Sequence, residues 1–190
     1  IWYGPGGVVR HAMSGIDMAL WDIRGKISDQ PVRNLLRQTA VDRVPCYASV
    51  LWPDHPEEIA VSAESFLEQG YQAVKYGWGP MGPDPVLDES LVASARDALG
   101  PEIDLMVDAG RVWDVETACS RAEQLKKYNL LWLEEPLNPY DIKGYRELST
   151  NSSIPIASGE ILTLQQDFKQ LIIQGKVAIV QPDLGRIGGF

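Results

Sequence analysis

Ile103-Asp104-Leu105-Met106-Val107-Asp108, Leu130-Leu131-Trp132-Leu133-Glu134 and Ile154-Pro155-Ile156-Ala157-Ser158-Gly159-Glu160 are three short apolar runs, and each closes on an acid. The acids stand 26 residues apart, from 108 to 134 and again from 134 to 160. That interval suits one strand, one helix and two short connections, so the repeat is a βα unit. Outward from these runs the rhythm continues. Strands are predicted at 44–51, 72–76 and 177–180, and helices at 56–69, 87–99, 115–127, 142–148 and 164–174. Gly70, Gly100-Pro101 and Gly175 fall where the helices should stop. Six strand signals alternating with five helix signals predict an α/β fold whose parallel sheet is covered on both faces.

Ahead of this region, Val8, Val9, Ala12, Met13, Ile16, Ala19, Leu20 and Ile23 recur at three- and four-residue steps. They predict an amphipathic helix over 8–28, followed by a short helical piece opened by Pro31. The change of rhythm divides the chain into 1–40 and 41–190. The 77–83 loop is rich in glycine but matches neither the dinucleotide fingerprint nor the P-loop, and is expected to be a shaped active-site loop.

The composition narrows the function. The chain has 190 residues, 45% hydrophobic and 23% charged, which fits a soluble globular protein. Its net charge is −9 and no basic stripe stands out, which argues against nucleic acid or an anionic membrane as partner. No stretch approaches the roughly 18 to 20 apolar residues of a membrane span. The first residues lack the pattern of a signal peptide, so a cytoplasmic location is expected. The absence of an initial Met leads us to expect a fragment or a processed chain. Cys46 and Cys119 are expected to be free, buried thiols.

A lone acid at a strand end is ordinarily a helix cap or a solvated side chain. Three at one spacing and one point of successive repeats converge on a single place, because barrels of this kind carry their sites at the C-terminal ends of strands. Asp108, Glu134 and Glu160 cannot all stay ionised in a partly dry site without a counter-charge. A hard divalent cation supplies it. All-oxygen ligation favours Mg²⁺, one per site, with Mn²⁺ as the alternative, and the lack of nearby His or Cys ligands argues against zinc. Glu135 competes with Glu134, since alternation lets only one of the two point at the metal.

Six stretches together resemble the mandelate racemase and muconate lactonizing branch of the enolase superfamily. They are Ser14-Gly15-Ile16-Asp17-Met18-Ala19-Leu20-Trp21-Asp22, Val74-Lys75, Val107-Asp108, Leu133-Glu134-Glu135-Pro136, Ser158-Gly159-Glu160, and Gln181-Pro182-Asp183 through Gly189. The resemblance implies the last helices of a capping domain over 1–40. Over 41–190 it implies an incomplete (β/α) TIM-like barrel with about six of eight strands, which cannot close alone. It selects Glu134 over Glu135 as ligand. It also implies removal of the proton α to a substrate carboxylate, with Mg²⁺ stabilising the enediolate; the Lys or His base with Mg²⁺ is a pairing already general to this superfamily.

The pattern breaks in two places. Relatives carry Lys-x-Lys at the end of the second strand, and here the stretch is Lys75-Tyr76-Gly77. Lys75 is then expected to polarise the substrate carboxylate, and Tyr76, pointing the other way, to pack outside. Asp183 matches the aspartate that orients a histidine base at the end of the seventh strand, a histidine expected beyond Phe190. His11 and His55 do not occupy that position. Arg111 and Arg186 are candidate substrate contacts.

A one-base site suits dehydration, and residues 134–145 resemble those of rhamnonate-like acid-sugar dehydratases. The expected function is an Mg²⁺-dependent sugar-acid hydro-lyase acting on a small carboxylate, in a full-length homo-oligomer, with this fragment inactive alone. A racemase or epimerase of a 2-hydroxy acid and a catalytically dead binding homologue are the alternatives.

Overall fold

The computed structural model describes residues 4, 6–36, 41 and 43–190. The expected boundary at residue 40 lies outside the described residues. The chain forms two compact units.

The first comprises Cys46–Gly159 and Lys169–Val180. It contains a six-stranded parallel sheet in the order β1 (Ala48–Leu51), β2 (Ala73–Gly77), β3 (Asp104–Asp108), β4 (Leu130–Glu134), β5 (Ile156–Ser158) and β6 (Ile179–Val180). Spatial order equals chain order, as successive right-handed crossovers produce. The crossover helices are α3 (Ile59–Glu68), α4 (Pro85–Leu99), α5 (Val115–Leu125), α6 (Ile142–Asn151) and α7 (Gln165–Ile173). One rung across the sheet reads Leu51, Gly77, Asp108, Glu134, Ala157, Ile179.

Several boundaries differ from expectation. β1 begins at Ala48 and not at residue 44, since Pro45 has no N–H to give a ladder. α4 starts at Pro85, two residues early, because Asp84 caps it by accepting the Val86 N–H at 2.9 Å and proline suits the first helical position. Helix over 56–58 is a 3-10 turn leading into α3. Both cysteines are free, but neither is buried as expected: Cys46 is exposed beside Pro45, and Cys119 is intermediate. Tyr76 packs as expected. It is fully buried, bonds the Ser62 hydroxyl at 2.9 Å and stacks on Trp52 with ring centroids 4.8 Å apart.

The 77–83 loop is clamped at its far end. Fully buried Asp88 accepts the Gly82 N–H at 2.7 Å through Oδ1 and the Arg121 Nε–H at 2.8 Å through Oδ2. Trp113 donates its indole N–H to the Gly82 carbonyl at 3.0 Å, and the Arg121 guanidinium lies 6.0 Å from its ring centre. Removing one partner of a buried pair strands the other charge. Asp88→Ala should therefore lower unfolding free energy in urea by ~3–5 kcal/mol. A loss under about 1 kcal/mol, typical of an exposed pair, would show the clamp to be incidental.

The second unit comprises the chain up to Pro45 with Glu160–Phe168 and Gln181–Phe190. α1 (Val8–Ile27) and α2 (Val32–Leu36) belong to it. The apolar stripe expected to bury α1 is open, with Val8 78% and Ile16 64% exposed. The helix is held through polar side chains instead. Ser14 accepts the Gly188 N–H at 2.8 Å, and Asp17 accepts the Phe190 N–H at 2.9 Å. No helix among the described residues is long and apolar enough to cross a membrane.

Candidate metal and carboxylate site

β3 and β4 end together, so Asp108 and Glu134 are register partners, and both are buried. Each of their four carboxylate oxygens accepts one hydrogen bond. Asp108 Oδ1 takes the Gly110 N–H at 2.8 Å and Oδ2 the Trp78 indole N–H at 2.9 Å. Glu134 Oε1 takes Lys75 Nζ at 2.6 Å and Oε2 the Trp132 indole N–H at 3.0 Å. Lys75 Nζ also stands 3.9 Å from Asp108 Oδ2. Its ammonium thus bridges the two acids.

The electrostatics follow from burial. Desolvation, then the neighbouring Glu134 charge, pushes the Asp108 carboxyl above the usual aspartate range, against the hydrogen bonds that favour its ionised form. Burial pulls Lys75 down, but the hydrogen bond and charge of Glu134 outweigh it, so its ammonium is held above the ordinary lysine value.

Gly77 explains how β2 approaches so closely. A Cβ built there would stand 2.5 Å from Asp108 Cβ and 3.1 Å from the Asp108 carbonyl oxygen. A cavity of about 150 Å³ lies beside it, lined by Ser49, Val50, Leu51, Lys75, Gly77, Trp78 and Asp108.

Asp108, Glu134 and Lys75 are brought together in one unit. Glu135 follows with φ 39°, a left-handed residue beside which Arg111 Nε stands 3.7 Å from Oε2. Arg111 also lies 5.6 Å over the Trp78 ring. Glu160, Asp183 and Arg186 are grouped in the other unit. Arg186 donates to Glu160 Oε1 at 3.2 Å and to Asp183 Oδ2 at 3.1 Å, while Asp183 Oδ1 accepts the Gly185 N–H at 2.7 Å. Among the described residues neither unit by itself gathers three His, Cys, Asp or Glu side chains as a metal-binding group.

The pair nevertheless suits a hard cation. Its donors are all carboxylate oxygens, and each has one lone pair beyond the hydrogen bond it accepts. With Lys75, two buried carboxylates and one ammonium leave a surplus negative charge, which a divalent oxygen-seeking ion would offset.

Sequence reasoning missed Trp78, Trp132 and Ser49. Trp132 carried a usable signal, since it lies two residues before Glu134 and shares its strand face. Trp78 carried none, because its reach to Asp108 depends on a left-handed backbone.

The profile described as "Enolase C-terminal domain-like" matches residues 58–190, and that of the "Mandelate racemase / muconate lactonizing enzyme, N-terminal domain" matches residues 3–37. The chain belongs to the mandelate racemase/muconate lactonizing branch of the enolase superfamily. Its six parallel strands are those of that family's barrel.

Curated relatives include the L-talarate/galactarate dehydratase of Salmonella typhimurium, 37% identical over 98% of this chain and 47% of the relative. The D-gluconate dehydratase of Thermoproteus tenax is 34% identical over 94% of this chain and 37% of the relative. The chain thus spans half or less of these relatives' lengths. Among solved structures, the L-talarate dehydratase of a Polaromonas species, complexed with Mg and L-glucarate, has a TM-score of 0.89 at 33% identity, over 99% of this chain and 52% of that one. A racemase from Streptomyces coelicolor with bound magnesium has a TM-score of 0.90 at 34% identity over the same shares.

Proposed function

We propose that the chain is part of an Mg²⁺-dependent sugar-acid dehydratase that abstracts the proton α to a carboxylate. The observation that carries this reading is the buried, register-matched pair Asp108 and Glu134 with the Lys75 ammonium between them. The dehydratase relatives, one solved with Mg and L-glucarate, support the substrate class and the metal.

In this reading Asp108 and Glu134 are metal ligands, and Glu160, one βα repeat further along the sequence, is the third. Bound Mg²⁺ would supply the positive charge that offsets the charge growing on the substrate carboxylate as its α-proton leaves. Lys75 turns from Glu134 to donate a hydrogen bond to that carboxylate. The indoles of Trp78 and Trp132 keep the two ligand carboxylates oriented. Asp183 would orient the histidine base that the family resemblance implies, and Arg111 and Arg186 would contact the hydroxylated remainder of the substrate.

A racemase reading is favoured by the Streptomyces coelicolor structure. Gly77 weighs against it, since proton transfer across both faces usually takes a second base and glycine has none. Incubating the full-length protein with aldonic and aldaric acids and Mg²⁺ should yield a 2-keto-3-deoxy acid. Exchange of the α-proton with solvent deuterium, with no such product, would replace dehydration by racemisation. Absence of Mg²⁺ binding would leave only a non-catalytic homologue.

A further inference from the structure

We propose that Trp78 is a positioning residue that locks the Asp108 carboxylate for the cation; this rests on the reading of Asp108 as a magnesium ligand. Trp78 engages Asp108 twice. Its backbone N–H bonds the Asp108 carbonyl at 3.1 Å, and its indole N–H bonds Oδ2 at 2.9 Å. The backbone achieves this at φ 60°, a left-handed conformation that costs a bulky residue about 1–2 kcal/mol.

Packing does not account for that strain. The Trp78 side chain is 49% exposed, so burial of the indole is incomplete. What the conformation secures is the indole N–H on Oδ2. Oδ1 is already held by the Gly110 N–H at 2.8 Å. With both oxygens fixed, the carboxylate plane cannot turn about Cβ–Cγ, and the lone pairs left over keep a set direction.

Two neighbours make the arrangement feasible. Gly77 has no Cβ to push Asp108 away from the indole, as any larger residue would at 2.5 Å. Arg111, itself at φ 68°, lies 5.6 Å over the ring and steadies its face. An indole has a further advantage over a charged donor here, because it orients the carboxylate without repelling a cation.

The decisive replacement puts a benzothiophene side chain at position 78, which keeps the shape and the Arg111 stacking but lacks the N–H. Calorimetric titration with Mg²⁺ should show affinity reduced on the order of tenfold, in the range seen when partners of metal ligands are removed. Trp78→Phe should lose at least as much, and Arg111→Met, which keeps the N–H, should lose less. Wild type and the benzothiophene protein binding Mg²⁺ equally well would overturn this inference alone. A wild type that binds no Mg²⁺ would overturn the metal reading and this inference with it. Independently of metal, the indole proton of Trp78, assigned by its loss in Trp78→Phe, should exchange slowly with solvent. Exchange as fast as that of a free indole would also overturn the proposal.

Discussion

Gly77→Lys is expected to weaken magnesium binding severely, although it restores on paper the Lys-x-Lys pattern of relatives. The first methylene of any side chain at 77 would sit 2.5 Å from Asp108 Cβ and 3.2 Å from its Cγ. Cβ is fixed by the backbone of a register partner and cannot swing away as the tip of a long side chain would, and the Asp108 carbonyl oxygen, at 3.1 Å, is backbone too. Overpacking of this kind ordinarily costs ~1–3 kcal/mol. Here the strain falls on the ligand itself and breaks the hydrogen bonds that hold both Asp108 oxygens. The new ammonium adds a second effect, since it would compete with a divalent cation for the same carboxylates. Together we expect Mg²⁺ affinity to fall at least about a hundredfold, or ~2.7 kcal/mol. Gly77→Ala separates the two effects by supplying the clash without the charge. Calorimetric titration of both variants checks this. A Gly77→Lys protein that binds Mg²⁺ like the wild type, and exchanges substrate protons on both faces, would show that β2 yields easily and that the glycine carries no steric requirement.

Lys75→Met should have opposite effects on stability and on metal affinity. In chelator, the ammonium is the bridge between two carboxylates whose side chains are 6% and 1% exposed. Removing it leaves two like charges facing one another, a loss of ~3–5 kcal/mol for breaking a buried pair from one side. The same ammonium also repels any cation seated on Asp108 and Glu134. At about 4 Å and an effective dielectric of about 20, unit charges interact by roughly 4 kcal/mol. Even a third of that amounts to tenfold in affinity. The variant should thus melt earlier than the wild type in chelator, recover with Mg²⁺, and bind Mg²⁺ about tenfold or more tightly. Turnover should nevertheless be lost, because the substrate carboxylate loses its hydrogen-bond donor. Thermal melts with and without Mg²⁺ read the first effect. Full turnover by Lys75→Met would remove Lys75 from the reaction.

The order of strands and helices was legible because it depends on short-range features. Apolar runs, glycine stops and the 26-residue spacing of the acids are properties of a few neighbouring residues at a time. They foretold that Asp108 and Glu134 would end adjacent strands, and the register pairs them. Tyr76 was legible in the same way, since strand alternation sends it opposite to Lys75. α1 was not. Its apolar stripe predicted which face would be covered, yet the contacts that hold it come from Ser14 and Asp17 reaching the chain's last residues, more than 170 positions away.

The sequence by itself determined the parallel βα architecture and set Asp108 and Glu134 at strand ends, because periodicity and spacing are written locally, and its motifs carried the resemblance to the family. Only the tertiary structure decided that Lys75 rests on Glu134, that Gly77 is glycine because Asp108 abuts it, and that Trp78 reaches across to the same aspartate. Each of these joins residues some 30 to 60 positions apart. Contacts at that range are set by how closely two strands approach and by a strained φ, and no local pattern of residues encodes either.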